Sequence, residues 1–480
     1  MMKFITLKLI SKDIQNFQKG SSINGRPVTI FNIFKPDPPL ERIEDQEEIK
    51  KSYKYWRLRI FYSMYIGYAF FYITRKSFTF AMPALIADLG FEKSDLGILG
   101  TLLAISYGIS KFLSGVISDR SNLRYFMALG LIFTGVFNIF FGFSSSIILF
   151  GFFLGFNGLF QGFGSPPCAK LLTYWYSQTE RGRWWGVWNT SHNIGGALIP
   201  IISAIAIQAF GWRFAMHLPG VLAIAAGFFI MNRLRGSPET LGLPPVEVFR
   251  NDYPNGEKLS TEPAEVKEKK KVDSKKILVE HVLKNKFIWI LSISFFFVYI
   301  IRTAVNDWAQ LYLMESKGYT LMTAGSCVFW FEIGGIFGSL IAGWLSDTIF
   351  KGRRGPVNIL FTLGIIFALF ALWSLPGGNL TLVSAIMFSI GFLVFGPQML
   401  IGMAAAELAH REAAGTATGF AGFFAYLGAA VAGYPVGKIT QVYGWPAYFV
   451  LLAVCGTLAI SLLLPLWSKK SQPALLEPVS

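Results

Sequence analysis

Residues 110–119, SKFLSGVISD, return in altered form at 338–347 as GSLIAGWLSD. Each copy sets a glycine four residues ahead of an aspartate, Gly115 before Asp119 and Gly343 before Asp347. A second pair of landmarks is Arg75 and Arg302, whose separation matches that of the two aspartates to within a single position. Two separate features with nearly one offset argue for a duplicated chain. Halves of this kind face each other across an axis normal to a membrane, with a substrate site between them near the midplane. Each half then brings one arginine to a common place.

The composition fits that reading. Of 480 residues, 53% are hydrophobic and only 15% charged, against about 25% charged in soluble domains. So large an apolar surplus cannot be one packed core, and most of it must face lipid. A spanning helix needs about 20 mainly apolar residues. Twelve stretches qualify, at 58–82, 95–117, 125–143, 147–172, 185–208, 213–232, 287–313, 323–346, 357–375, 380–405, 415–437 and 446–467. The expected fold is an all-α integral membrane protein: 12 transmembrane helices in two pseudo-symmetric six-helix bundles. The charged, proline-bearing stretch between the sixth and seventh helices reads as an exposed linker. The domains expected are an N-terminal tail 1–56, a first bundle 57–235, a linker 236–286, a second bundle 287–468 and a tail 469–480.

A formal charge of +15 raises the question of nucleic acid. The cations lie mostly in tails and short loops, where the positive-inside rule puts them, so no nucleic-acid partner is expected. Arg120, Arg124, Arg181, Arg183, Lys351, Arg353, Arg354 and Arg411 fall on one side with both termini and the linker. The opposite side holds Lys93 and Lys317, with Arg213 and Lys438. Both termini are therefore expected on the cytoplasmic side of an inner, cytoplasmic membrane. The stretch from Met1 to Lys19 is broken by Lys3, Lys8 and Lys12 and does not read as a cleaved signal. Cys168, Cys327 and Cys455 have no paired spacing, and no nucleophile–base pair or metal-ligand cluster is evident. Neither an enzyme, a metal nor a cofactor is expected.

Chemistry concentrates in a few polar residues inside apolar helices. A mid-membrane arginine costs about 2.5–3.5 kcal/mol on insertion scales and tends to face protein or a water-filled cavity. Arg75 lies in GYAFFYITRKSFTFAMP (67–83), with Tyr68 and Tyr72 on its face. Arg302 lies deep in FFFVYIIRTAVNDWAQLYL (295–313), flanked at i−3 and i+4 by Tyr299 and Asn306. Two converging guanidinium groups repel each other and invite a multiply charged anion. Their planar forks suit phosphate oxygens, though sulfate and dicarboxylates satisfy the electrostatics too. Lys76 either reaches the membrane rim or pairs across the cavity with Asp307, which points away from Arg302. Glu332, in VFWFEIGGIFG, needs a cationic partner. Asn189, His192, Asn193 and Gly196 share one helix face, where His192 is either a structural hydrogen-bonder or a substrate contact. Lys111, one turn after Tyr107, either adds positive potential or snorkels.

GVISDRSNLR (115–124) resembles the loop motif of the major facilitator superfamily, with a second copy at GWLSDTIFKGRRG (343–355). Within the superfamily the chain resembles the organophosphate:phosphate antiporter family, in its hexose-phosphate transporter and sensor branch. The matching segments include GYAFFYITRKSF, YGISKFLSGVISDRSN, QGFGSPPCAKLL, WYSQTERGRWWGVWNTSHNIGGALIP, RTAVNDW, FGPQMLIGMAAAELAHREAAGTATGF and AYLGAAVAGYPVGKI. They run from about residue 55 to 465. The resemblance implies that Arg75 and Arg302 bind a phosphoryl group. His192, with Asn189, Tyr107 and Lys111, would serve binding or its coupling to movement, and Lys76, Asp307 and Glu332 would help close the extracellular side. It implies alternating-access exchange of a hexose phosphate, glucose 6-phosphate first, for inorganic phosphate by a monomer. The C-terminal part looks most like the sensor-type members. The alternative is therefore a receptor for external glucose 6-phosphate that signals through a separate histidine kinase.

Overall fold

The computed structural model describes residues 35–119, 121–252, 279, 282–408 and 414–469. The end segments 1–34 and 470–480, most of the linker, Arg120, Arg411 and the side chain of Asp119 lie outside the described residues.

The first half runs through α1 (Gln46–Leu89), α2 (Lys93–Asp119), α3 (Leu123–Phe143), α4 (Ile147–Gln161), α5 (Ser165–Trp175), α6 (Gln178–Phe210) and α7 (Phe214–Arg233). A short α8 (Val246–Arg250) follows. The second half comprises α9 (Lys286–Lys317), α10 (Leu321–Thr348), α11 (Arg354–Ser374), α12 (Leu380–Glu407), α13 (Ala414–Val431) and α14 (Tyr434–Leu463). Local chemistry sets the ends. Asp45 caps α1 by accepting from Glu47 N at 2.9 Å, and Asn285 caps α9 by accepting from Phe287 N at 3.0 Å. Both helices stop on a left-handed glycine, Gly90 (φ 68°) and Gly318 (φ 70°), the conformation glycine enters without a Cβ penalty. The spacing from Gly90 to Gly318 equals that from Asp119 to Asp347, a third landmark at the offset of the duplication.

Among the described residues, nine helical stretches are long and apolar enough to cross a bilayer. The last, 417–466, is 50 residues long. It reverses at Gly444 (φ 75°), so it makes two passes. Two more helices, α1 and α2, have the length: α1 dilutes its apolar content with Arg75, Lys76, Tyr68 and Tyr72, whereas α2 carries an apolar run at 96–113 interrupted by the single charge of Lys111. With them the fold has its twelve passes.

Three local expectations need correction. The stretch 147–172 is not one helix: it breaks between Gln161 and Ser165. Pro166 and Pro167 favour the start of a new segment, and a Cβ on Gly162 would come 2.2 Å from Ser110 Oγ. The eleventh pass is likewise interrupted, at 432–433. There Gly433 and Gly97 bring backbones of the two halves together, a Cβ on Gly97 meeting Gly433 O at 2.8 Å. Finally, the start of the segment read as an exposed linker is folded. Leu40 N and Ile43 N donate to Glu239 O and Gly242 O at 2.9 and 2.8 Å. Phe249 stacks on Tyr53 with centroids 3.9 Å apart, and Leu243 and Val246 are buried. The apolar side chains there are too few to show periodicity, yet they cover the extension of α1 below residue 57.

The halves meet along two seams, α6 against α10, and α2 against α13 and α14. The second copy of the repeated motif closes as its chemistry suggests: Arg354 pairs with Asp347 and also, at 2.9 Å, with Glu407.

Candidate functional site

Where α1, α2, α9 and α13 face one another they leave a cavity of about 700 Å³, its mouth included. Arg75, Lys76, Tyr107, Tyr299, Arg302 and Asp307 line it, so six of the residues singled out from sequence converge. Arg75 comes from the first half and Arg302 from the second. Each guanidinium rests on aromatic faces. Arg75 Cζ is 4.0 Å from the Tyr107 ring centroid and 4.4 Å from that of Tyr72. Arg302 Cζ lies 5.0 Å from Phe395 and 5.4 Å from Tyr299. Ring faces hold cations without neutralising them, so the positive charge of both arginines remains available to a ligand.

Lys76 meets Asp307 in an ion pair that joins the halves, and Thr79 Oγ1 donates to the same carboxylate oxygen at 3.4 Å. A second inter-half pair, Lys93–Glu315 at 2.6 Å, lies at the face away from the termini. Around it Gln441 accepts from Ser94 N at 3.0 Å, and Thr101 Oγ1 donates to Ala430 O at 2.7 Å. The halves are thus joined on that face.

The remaining predicted residues stand behind the lining. His192 is buried, its ring 5.0 Å from Tyr72 and 5.8 Å from Phe395, and its Nε2 has no hydrogen-bond partner among the described residues. It packs on one of the two rings under each arginine. Asn189, one turn earlier, is half-buried. Lys111 Nζ sits 3.4 Å from the Tyr426 hydroxyl, at the edge of the cavity. Glu332 makes no ion-pair contact among the described residues: its direct partners are amides, while the charges of Arg302 and Lys76 act on it through space. Asn193 Nδ2 donates to it at 2.9 Å and Asn306 Nδ2 at 2.7 Å, with the side chain 1% exposed. Close helix packing explains the choice: a Cβ on Gly196 would meet the Glu332 carboxyl at 2.7 Å, which leaves room for a short amide beside it.

Two participants escaped the sequence reading. Tyr426 lines the cavity from α13, its ring 4.9 Å from Tyr107. Gln161 accepts from Arg75 Nε and Nη2, both at 3.4 Å. Asn157 and Gln161 are four residues apart in an apolar helix, the same spacing signal that marked the face of His192.

The sequence profile described as Major Facilitator Superfamily matches residues 64–433. The chain belongs to that superfamily. As a member it is a multi-pass membrane protein, and its relatives place it in the organophosphate:phosphate antiporter branch. It is 56% identical over 444 residues to a "Probable hexose phosphate transport protein" of Chlamydia muridarum, covering 92% of this chain and 97% of that one. It is 49% identical over 429 residues to "Membrane sensor protein UhpC" of Escherichia coli K12, covering 89% and 96%. A "Glycerol-3-phosphate transporter" of Bacillus subtilis is 40% identical over 445 residues, covering 92% and 98%. The superfamily fold also appears in a solved structure, a bacterial homolog of the human lysosomal transporter Spinster in an inward-facing, unoccupied conformation. It aligns with TM-score 0.67 at 14% identity, over 86% of this chain and 96% of that one.

Proposed function

We propose that this protein carries hexose phosphates across a membrane, glucose 6-phosphate first among them, in exchange for inorganic phosphate. The observation that carries the reading is the meeting of Arg75 and Arg302, one from each half, on a single cavity. Two cationic forks held on rings have no carboxylate in direct contact among the described residues, Glu332 acting on Arg302 only through space, and phosphate supplies two or more charges with matching geometry. Similarity to a hexose phosphate transport protein and to a glycerol-3-phosphate transporter supports the phosphate ester as substrate class.

The arrangement also suggests why exchange would be obligatory. Rocking the empty carrier would enclose two like charges in a low dielectric. Phosphate bound to both arginines compensates them, and this difference in stability between loaded and empty states lets the halves re-orient. Lys76–Asp307 and Lys93–Glu315 would open as the site turns to the other face. His192, Asn189, Lys111, Tyr107 and Tyr299 act around the phosphoryl group or in its coupling to movement. Both termini face the cytoplasm.

The test is exchange of labelled glucose 6-phosphate into phosphate-loaded proteoliposomes. Uptake that needs internal phosphate supports the reading, and normal exchange by Arg75→Ala overturns it. The 49% identity to a membrane sensor favours one second reading, a receptor that binds the same ligand and signals through a histidine kinase. Ligand binding with negligible exchange, together with co-purification of such a kinase, would select it.

A further inference from the structure

A buried row of amides stands behind Arg75 and has no counterpart described at Arg302. Gln161, the last residue of α4, accepts from Arg75 Nε and Nη2. Its own Nε2 donates to Thr74 Oγ1 at 3.0 Å and to Asn157 Oδ1 at 3.1 Å. Asn157 Nδ2 donates to Asn138 Oδ1 at 2.9 Å and Thr134 O at 3.2 Å, and Asn138 Nδ2 donates to Ser77 Oγ at 2.9 Å. The row therefore leaves α1 at Arg75, crosses α4 and α3, and returns to α1 at Ser77. All three amides are at most 1% exposed.

Such a row has a direction. Each oxygen accepts from one neighbour while each nitrogen donates to the next. Turning Gln161 over would set its NH2 against the donors of Arg75 and its oxygen against the oxygen of Asn157. Buried polar groups left unmatched are costly, so the chain of donors fixes Gln161 Oε1 toward the arginine. Nε and Nη2 form one edge of a guanidinium. With that edge held, the Nη1/Nη2 edge remains for a ligand. Arg302 is held differently: it packs on Phe395 and Tyr299 and meets the Tyr72 hydroxyl, but among the described residues no amide holds it and its buried Nε has no hydrogen-bond partner.

We propose that Gln161 is a positioning residue for the anion site, making Arg75 the pre-aligned pole and leaving Arg302 as the pole that adjusts to the ligand. The proposal rests on the reading of Arg75 as a phosphate ligand. A two-bond contact between a guanidinium fork and phosphate needs the fork's plane set in advance. Aromatic faces alone let it turn in its own plane. The amide acceptor stops that turn, so ordering is not charged to binding.

The test measures the Kd of purified protein for inorganic phosphate, alongside its unfolding temperature, in wild type, Gln161→Leu, Gln161→Glu, Asn157→Leu and Arg75→Ala. Gln161→Leu removes the acceptor and is expected to raise Kd about 10-fold through lost pre-organisation. Gln161→Glu puts a competing carboxylate on Arg75 and is expected to weaken phosphate about 100-fold. Asn157→Leu frees Gln161 to turn and should shift Kd the same way, by about 3-fold. A lowered unfolding temperature with unchanged Kd in Gln161→Leu and Asn157→Leu would show a purely structural amide row and overturn the proposal. So would wild-type affinity in Gln161→Glu. If Arg75→Ala itself binds phosphate normally, the phosphate reading of the site fails first, a result distinguishable from failure of Gln161 alone.

Discussion

Lys76 of α1 and Asp307 of α9 are paired across the seam between the halves, immediately beside the two arginines of the cavity. Their side chains are 12% and 21% exposed, between the open surface and a dry interior. The pair therefore sits where removing one partner leaves the other incompletely hydrated. Lys76→Ala or Asp307→Ala is expected to destabilise the joined state by about 1–3 kcal/mol, between exposed and fully buried pairs. The double substitution should cost less than the two singles added, because neither charge is then stranded. A thermal-unfolding double-mutant cycle checks this, and strictly additive losses would contradict it.

The second link, Lys93–Glu315, is anchored twice, since Glu315 also accepts from Trp445 Nε1 at 2.9 Å. Cysteines placed by Lys93→Cys and Glu315→Cys should be joined readily by a short bifunctional thiol reagent. The native Cys168, Cys327 and Cys455 are buried and should react slowly. Once cross-linked, exchange should fall at least 10-fold if the halves must part at this face, and cleaving the linker should restore it. Full activity of the cross-linked protein would show that this contact persists through the cycle.

The duplication, the twelve passes and the two arginines were legible because each leaves a periodic or compositional mark. An arginine in an apolar run is conspicuous, and an offset repeated by independent landmarks is hard to produce otherwise. The pairing of Lys76 with Asp307 could be read from the angle between Asp307 and Arg302 around their helix. The cations acting on Glu332, Arg302 and Lys76, were in view, but the amides that touch it were not, because neighbours across helices leave no spacing signal. Tyr426 escaped since a single tyrosine in an alanine- and glycine-rich helix reads as ordinary filling. The folded start of the linker was hidden for another reason: its few apolar residues gain meaning only against Tyr53, far earlier in the chain.

Packing between α10 and α12 leaves no room for side chains at three glycines. A Cβ on Gly338 would lie 1.9 Å from Phe392 O, on Gly334 2.0 Å from Phe388 O, and on Gly391 1.8 Å from Phe331 O. All three obstacles are backbone atoms, so no rotamer change relieves them. Gly338→Ala should force the helices apart and cost about 2 kcal/mol or more. Unfolding in detergent should move to lower temperature, whereas Gly402→Ala, on the same α12 but with open space around it, should change little.

Glu332 offers the sharpest test of how the α6–α10 seam is held. Its two oxygens accept from Asn193 of α6 and from Asn306 of α9, so one carboxylate ties both halves together. Glu332→Gln keeps the shape but turns one acceptor into a donor. That NH2 must then face an asparagine NH2, unless the asparagine turns over. Asn306 can turn at little cost, because its Oδ1 has no partner among the described residues and would accept the new donor. Asn193 is boxed in by Gly335, where an added Cβ would approach its Nδ2 to 2.9 Å. The Gln variant is therefore expected to lose about 1 kcal/mol or less. Glu332→Leu strands two buried amide donors and should lose about 2–4 kcal/mol. Adding Asn306→Ala to the Gln variant removes the rescuing acceptor, so it should lower the unfolding temperature of that variant, whereas an asparagine that had not turned would leave an NH2–NH2 clash for the same change to relieve. A rise in unfolding temperature on adding Asn306→Ala to the Gln variant would mean that the asparagine does not turn.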